Sequence, residues 1–198
     1  MNSRTKALKE IEDEVLGLRG SFLAEERIKN SAFPVVGEGS DRAEIMFVGE
    51  APGANEAKTG KPFIGRSGKF LDELLISVDI SRESVYITSI VKDRPPKNRD
   101  PKPEEIELYA PFLDRQIEII KPKVIATLGR FAMAYIMNRY GLAEDIRPIS
   151  AIHGKIFKAK MQWGEVSVVT LFHPSVAIYN QHSKGLLFED FKILKTLI

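Results

Sequence analysis

Four β-prone runs of this sequence end at residues suited to chemistry or to close ligand contact: Glu50, Ser89, Gly129 and His173. In open α/β sheets the ligand lies beyond the carboxyl ends of the strands, so we expect these residues at one edge of a sheet. A carboxylate and an imidazole brought together there suit acid–base or electrostatic catalysis. The spacing fits equally well a turn histidine before Pro174 and a solvated or helix-capping glutamate, so both interpretations stay open.

A basic, proline-rich segment follows the strand that ends at Ser89. Residues 92 to 100 read KDRPPKNRD, and their cations are expected near the same sheet edge. Prolines reduce the entropy that such a loop loses on ordering, and Asn98 can hydrogen-bond to a phosphate or a sugar. The segment predicts phosphate contacts, with an ordinary solvated loop as the alternative.

The glycine-rich residues 49 to 69 do not form a known nucleotide-binding motif. Gly60 follows Gly53 at too long a spacing for a Walker motif, and Pro62 stands where that motif needs a serine or threonine. The dinucleotide-binding pattern GxGxxG is also absent after the first strand. Nucleoside triphosphate hydrolysis and dinucleotide chemistry are therefore excluded.

The composition is that of a globular chain. It has 198 residues, 43% of them hydrophobic, which is enough for one well-buried core. The formal charge of +2 neither demands nor excludes a nucleic-acid partner. The absence of cysteine excludes disulfides, cysteine nucleophiles, thiolate zinc sites and all-cysteine iron–sulfur clusters. With no membrane-length apolar run and no signal peptide in the sequence, we expect a cytoplasmic protein without a membrane partner.

Apolar periodicity predicts strands that alternate with helices. Strands are expected at residues 45–48, 85–88, 124–128, 155–160 and 166–171. Helices are expected within residues 3–28 with a break near Gly20, around 70–75, at 103–120 and 131–140, and from 186 onward. Residues 53 to 65 are expected to form a loop. This order predicts one α/β domain over residues 1 to 198, a three-layer αβα sandwich around a mostly parallel sheet.

Several blocks resemble the family 4 uracil-DNA glycosylases, the thermostable iron–sulfur branch of their superfamily. The most specific is GEAPG at residues 49 to 53, followed by Glu56 and by GKPFIGRSG at residues 60 to 68. The other blocks are YIT and KDRPP before NR within residues 86 to 99, KPKVI before LG within 121 to 129, and HPS at 173 to 175. These blocks keep the family's order and spacing over roughly residues 8 to 198.

This resemblance implies an enzyme of base excision repair that removes uracil, or a related deaminated base, from DNA. The nucleotide would be flipped out of the helix and its base–sugar bond hydrolysed, so the implied partner is uracil-containing DNA. As catalytic residues it implies Glu50, which would stabilise the cationic sugar and position water, and His173, which would donate to the leaving base oxygen. We expect no cofactor, no metal at the catalytic centre and a monomeric protein.

The resemblance also assigns binding residues. Phe63 would stack on the flipped base, the backbone around Ala51 would touch the base, and Glu56 would have a supporting part in base binding. The DNA backbone would be bound by Asn98, Arg99 and Ser175. The apolar residues 176 to 178 lie where a wedge could fill the space left by the base, and the same segment equally fits the start of a packed helix.

The chain departs from the family at the four cluster cysteines and at an asparagine that reads the uracil edge. The cysteine positions are occupied by Leu18, Ser21, Asp93 and Tyr109, so we expect no iron–sulfur cluster and expect packing and hydrogen bonds in its place. Ser89 stands at the asparagine position, and a hydroxyl cannot reproduce the paired donor and acceptor of an amide. Three outcomes stay open: a slower uracil glycosylase, an enzyme for another damaged base, and a non-catalytic protein that binds DNA or a nucleobase.

Overall fold

A six-stranded mixed sheet forms the centre of the protein in a computed structural model that describes residues 2–180 and 183–198. Its strands are β1 (Glu38–Gly39), β2 (Ile45–Gly49), β3 (Tyr86–Ser89), β4 (Val124–Leu128), β5 (Lys155–Met161) and β6 (Gly164–Leu171). They lie in the order β1-β3-β2-β4-β6-β5. The inner strands β3, β2, β4 and β6 run parallel, while the edge strands β1 and β5 pair antiparallel. The prediction of a mostly parallel sheet is confirmed.

Helices connect the strands and cover the sheet. They are α1 (Ser3–Gly17), α2 (Phe22–Lys29), α3 (Ala54–Thr59), α4 (Arg66–Ser77), α5 (Pro103–Ile120), α6 (Arg130–Arg139), α7 (Ile149–Ile152), α8 (Ser175–Tyr179) and α9 (Lys184–Lys192). Short 3-10 turns lie at Arg82–Ser84, Pro96–Asn98, Ala143–Asp145 and Ile193–Thr196. The predicted break between the first two helices is confirmed, and Ser21 caps the second by accepting a hydrogen bond from the Ala24 N–H.

The expected loop over residues 53 to 65 was wrong in its first half. Ala54–Thr59 form α3, which ends where Gly60 adopts the left-handed conformation with φ 75°. The glycines around it look like loop residues, and only Ala57 of this helix is buried, so no apolar periodicity reveals it. The same shortness explains why α7 and β1 were not predicted and why a helix at α8 was predicted only as one of two alternatives.

Apolar side chains cover both faces of the sheet. On one face α4 and α9 pack over Phe47, and Phe191 of α9 stacks on it with ring centroids 5.9 Å apart. On the other face α5 and α6 pack over Met46, and α1 packs against the outer side of α5 beside Tyr109. No helix in the described ranges is long and apolar enough to cross a membrane. The three-layer α/β architecture is confirmed, and the single-domain assignment of residues 1 to 198 stays a prediction.

Candidate active site

A cavity of about 640 Å³ opens at the carboxyl ends of the parallel strands. Its wall contains nine residues to which the sequence analysis assigned catalysis or binding: Glu50, Ala51, Glu56, Phe63, Ser89, Asn98, Arg99, His173 and Ser175. Gly129, which ends β4, also lines it. Residues far apart in the sequence thus meet at the sheet edge where a ligand was expected. Their individual roles stay predictions.

Glu50 directly follows β2 and is partly buried in the cavity wall. Its carbonyl accepts a hydrogen bond of 3.0 Å from the Val91 N–H, which ties it to the segment after β3. Burial, and then the negative charge of Asp100, raise the pKa of Glu50 to about 7, while Arg130 opposes this shift. Arg130 and Asp100 form an ion pair of 2.6 Å. This pair could not be predicted from the sequence, because nothing in the spacing of Asp100 and Arg130 links them to Glu50.

His173 follows the end of β6, and one of its ring nitrogens is held by Ser175. The Ser175 N–H lies 3.2 Å from Nδ1 and the Ser175 hydroxyl 2.7 Å from the same atom. A backbone N–H can only donate, so Nδ1 accepts and the proton of a neutral ring lies on Nε2. Burial lowers the pKa of His173 to about 4, so the ring is neutral at pH 7. The arrangement assigns a neutral imidazole whose Nε2–H can donate to a ligand.

The Phe63 ring lies beside His173 because three features of the chain hold it there. Its backbone has a positive φ of 49°, a conformation that costs energy for a bulky residue. A Cβ on Gly49 would lie 2.8 Å from the ring, and one on Gly68 would lie 1.8 Å from the Phe63 carbonyl oxygen, so both positions require glycine. The ring centroids of Phe63 and His173 are 5.7 Å apart. A flat base can therefore meet an aromatic face and a hydrogen-bond donor in one cavity.

Glu56 contacts the loop that carries Phe63. Its Oε1 accepts hydrogen bonds from the N–H groups of Ile64 at 2.9 Å and Gly65 at 2.8 Å. Gly65 caps the N-terminus of α4, where a negative charge is favourable. Through these contacts Glu56 positions the loop that carries Phe63. The sequence analysis assigned Glu56 only to base binding.

Ser89 ends β3 with a side chain that is only 3% exposed and lines the cavity. Among residues 2–180 and 183–198, none hydrogen-bonds to its hydroxyl. The hydroxyl and the Phe63 ring both lie beside Gly49, at 3.2 and 2.8 Å from the place that a Cβ on this glycine would occupy. A hydroxyl that lines the cavity without a hydrogen-bond partner in the described chain is available to a ligand.

The segment after β3 brings Asn98 and Arg99 to the cavity rim with partners of their own. Asn98 Oδ1 accepts a hydrogen bond of 2.7 Å from Arg94 Nε. Arg99 forms a two-pronged pair with Glu105, at 2.8 and 2.5 Å. Any phosphate contact by Arg99 must compete with that carboxylate.

The proposed wedge residues 176 to 178 fall within the short helix α8. Ala177 is buried against the α4 and α9 side of the core, so it is not available to DNA and its assignment as a wedge residue was wrong. Val176 and Ile178 line the cavity, and so does Tyr179, whose side chain is 83% exposed. The exposed aromatic side chain of this helix therefore lies one residue beyond the predicted segment.

Comparisons with known proteins identify the family of this chain. Residues 36–193 match the model of the uracil DNA glycosylase superfamily. The chain belongs to the uracil-DNA glycosylase superfamily. Among its relatives, the type-4 uracil-DNA glycosylase of Sulfurisphaera tokodaii is 43% identical over 96% of this chain and 84% of that protein. The type-4 enzyme of Archaeoglobus fulgidus is 45% identical over 80% of this chain and 78% of its own length. The predicted family and the prediction of a glycosylase-type enzyme of DNA repair are confirmed.

The residues of this glycosylase homologue do not fit the iron–sulfur cluster of the type-4 branch. At the four cysteine positions stand Leu18, Ser21, Asp93 and Tyr109, none of which offers a thiolate. The Asp93 carboxylate is instead bound by Arg27 Nε at 3.1 Å and by the Tyr109 hydroxyl at 2.7 Å. In the described part of the chain, no group of three or more His, Cys, Asp or Glu residues is placed to hold a metal ion.

Asp93, at one of these four positions, forms a buried ion pair with Arg27. The side chains of Arg27 and Asp93 are 5% and 0% exposed. Arg27 also donates to the carbonyl groups at the end of α1, those of Val15, Leu16 and Leu18. The pair thus fastens both N-terminal helices to the start of the segment that carries Asn98 and Arg99.

Proposed function

We propose that this protein is a monofunctional DNA glycosylase that flips uracil, or a related deaminated base, out of DNA and hydrolyses its N-glycosidic bond in base excision repair. The observation that carries the proposal is the meeting of Glu50, the Phe63 ring and neutral His173 in one cavity. The names of the type-4 relatives support uracil in DNA as the substrate class.

Each of these three groups meets one demand of the reaction. Breaking the base–sugar bond leaves positive charge on the sugar and negative charge on the departing base. Ionised Glu50 would stabilise the sugar cation and orient the attacking water, and the Nε2–H of His173 would donate to the base oxygen. Phe63 would stack on the base. The two polar contacts strengthen as charge develops, so they lower the barrier rather than merely tightening binding.

The residues that line the cavity favour direct hydrolysis by water over a mechanism in which a lysine forms a covalent adduct with the sugar. Among the residues that the structure describes, no lysine lines the cavity, so a covalent amine adduct with the sugar has no candidate nucleophile there. Water then becomes the group that replaces the base. The expected product is an abasic site in a DNA strand that stays intact.

Cleavage of end-labelled oligonucleotides tests this function. Each would carry a single uracil, hypoxanthine, xanthine or cytosine, and alkali would then break any abasic site. Alkali-dependent breaks at uracil support the proposal, and breaks only at hypoxanthine or xanthine would keep a glycosylase but change its base. Binding of DNA without breaks at any base would reject catalysis.

A non-catalytic DNA-binding or nucleobase-binding protein is the second candidate, and Ser89 is the observation that favours it. Its hydroxyl can make one contact with a base edge where an amide would make two. Such a protein would bind DNA in a salt-dependent way and would leave the base in place.

Ser89→Asn should raise the rate of uracil release about 10- to 100-fold, because a restored bidentate contact is worth about 1–3 kcal/mol. Single-turnover kinetics on a uracil oligonucleotide would measure it. Ser89→Ala is the matched control, since it changes the same position without adding the amide and should give no gain. An Asn variant no faster than wild type would show that Ser89 does not limit uracil recognition.

Base release should fall as the pH drops through about 7, because the reaction needs ionised Glu50 and its pKa is raised to about 7. Asp100→Asn removes a negative charge that raises this pKa, so the acid limb of kcat/KM should move to lower pH. Arg130→Met removes the opposing positive charge, so the limb should move to higher pH. Two variants that shift the limb in the same direction, or not at all, would assign it to another group.

A further inference from the structure

Lys92 is a fully buried lysine that the mechanism above does not use. It lies just past β3 and is 0% exposed. Its Nζ is 2.7 Å from each of three oxygens, those of the Thr88 hydroxyl, the Ser89 carbonyl and the Gln116 side-chain amide. Within the described chain no carboxylate pairs with it, and burial is the sole cause that lowers its pKa.

The three hydrogen bonds around Lys92 match the N–H donors of the charged ammonium form, and they oppose the lowering of its pKa by burial. The Thr88 hydroxyl has two acceptors for its one proton, the Val36 carbonyl at 2.7 Å and Gln116 Oε1 at 3.2 Å, so towards Lys92 it accepts. The Gln116 amide is oriented by its Nε2, which donates to Val36 and to the Tyr86 hydroxyl, so its oxygen faces Lys92. The Ser89 carbonyl can only accept. Three acceptors need three N–H donors, which a neutral amine does not have.

This unpaired cation lies behind the end of the cavity where a base is expected. Ser89 lines the cavity with its side chain and offers its carbonyl to Lys92 from the same residue. The following residues, Ile90 and Val91, donate backbone hydrogen bonds to the carbonyls of Gly49 and Glu50. Ser89 therefore contacts the cavity with its side chain and Lys92 with its carbonyl, and the two residues that follow it are hydrogen-bonded to the backbone of Gly49 and Glu50.

We propose that Lys92 is a positioning residue whose buried positive charge acts through Ser89 to favour the negative charge that develops on the departing base. The proposal rests on the glycosylase function proposed above. A fixed charge in a dry surrounding, without a counter-ion, acts on a nearby developing charge with little solvent screening. It needs no reorganisation during the reaction, because its three acceptors already hold it in place.

A leaving-group comparison separates this electrostatic role from a merely structural one. The fluorine of 5-fluorouracil withdraws electrons, so its anion needs less stabilisation than that of uracil. Loss of the Lys92 charge should therefore slow the release of uracil more than that of 5-fluorouracil. Loss of packing or of the turn geometry would slow both bases by the same factor.

Because this chain has no cysteine, a cysteine introduced at position 92 can be alkylated selectively. The charge at this position can then be changed with almost no change in side-chain shape. Lys92→Cys can be alkylated in denaturant with bromoethylamine, which restores an ammonium at nearly the length of lysine, or with a propyl halide, which gives a neutral side chain of the same shape. Wild-type protein would be carried through the same unfolding and refolding. Lys92→Met, which needs no refolding, provides a second neutral form.

In single-turnover assays we expect both neutral forms to release uracil about 10- to 100-fold more slowly than wild type. The loss for 5-fluorouracil should be smaller, and the aminoethyl form should recover both rates. Equal slowing of both bases, or a propyl form as fast as the aminoethyl form, would overturn the role of the charge. Wild type that had never been unfolded and released neither base would instead reject the proposed function itself.

Discussion

Glu50→Gln should slow uracil release about 100- to 1,000-fold while leaving DNA binding intact. The amide keeps the shape of the side chain but cannot carry the negative charge that stabilises a cationic sugar. The charge matters only once the bond begins to break, so the loss should appear in the rate of the bound complex rather than in the affinity. Single-turnover kinetics with saturating protein, together with a fluorescence anisotropy titration of the same DNA, would separate the two.

Glu107→Gln is the matched control for this change. Glu107 is an exposed glutamate on α5 outside the cavity, and the same substitution there should leave both measurements unchanged. A Glu50→Gln protein that retained more than about a tenth of the wild-type rate would show that Glu50 does not stabilise the sugar cation. Removing one well-placed electrostatic group usually lowers the rate by more than tenfold.

Asp93→Asn should destabilise the protein by about 3–5 kcal/mol, because it leaves the buried guanidinium of Arg27 without its counter-ion. In a chain of this size that loss lowers Tm by about 6–20 °C. Burial raises the pKa of Asp93, and Tyr109 and Arg27 hold it down, so the carboxylate depends on both partners. Thermal unfolding followed by circular dichroism would measure the change.

The double variant Arg27→Met with Asp93→Leu tests whether the unpaired charge causes that loss. Replacing both members of a buried pair by apolar residues is often nearly neutral, so the double variant should be more stable than Asp93→Asn alone. An Asp93→Asn protein whose free energy of unfolding fell by less than about 1 kcal/mol would show that the Arg27–Asp93 pair contributes little to stability.

Incubation of the wild type with a metal chelator should leave Tm unchanged, since no thiolate is present to hold a cluster.

Long regular elements could be predicted from the sequence because their apolar patterns repeat. The strand over Val124–Leu128 was predicted with its observed bounds, and Pro103 correctly marked the start of α5, where its missing N–H costs nothing. The short helix α3 was missed because it offers a single buried residue and is framed by glycines. A helix must span several turns before its apolar periodicity can be recognised in the sequence.

The members of the site were easier to predict than the interactions that tune them. Strand ends and family blocks indicated Glu50, Phe63 and His173, and the structure brings them together. Pairings through space leave no trace in residue spacing, so neither the Asp100–Arg130 pair nor the acceptors around Lys92 could be read from the sequence. They are contacts between elements that only the folded chain brings together.

Intact-mass spectrometry of a uracil-containing oligonucleotide, with and without the protein, tests the central claim most directly. We predict one continuous strand that has lost the base and gained a water, together with free uracil in the supernatant, and neither product with the Glu50→Gln protein. DNA of unchanged mass, under conditions in which the protein is shown to bind it, would contradict the claim that this cavity hydrolyses the bond between uracil and its sugar.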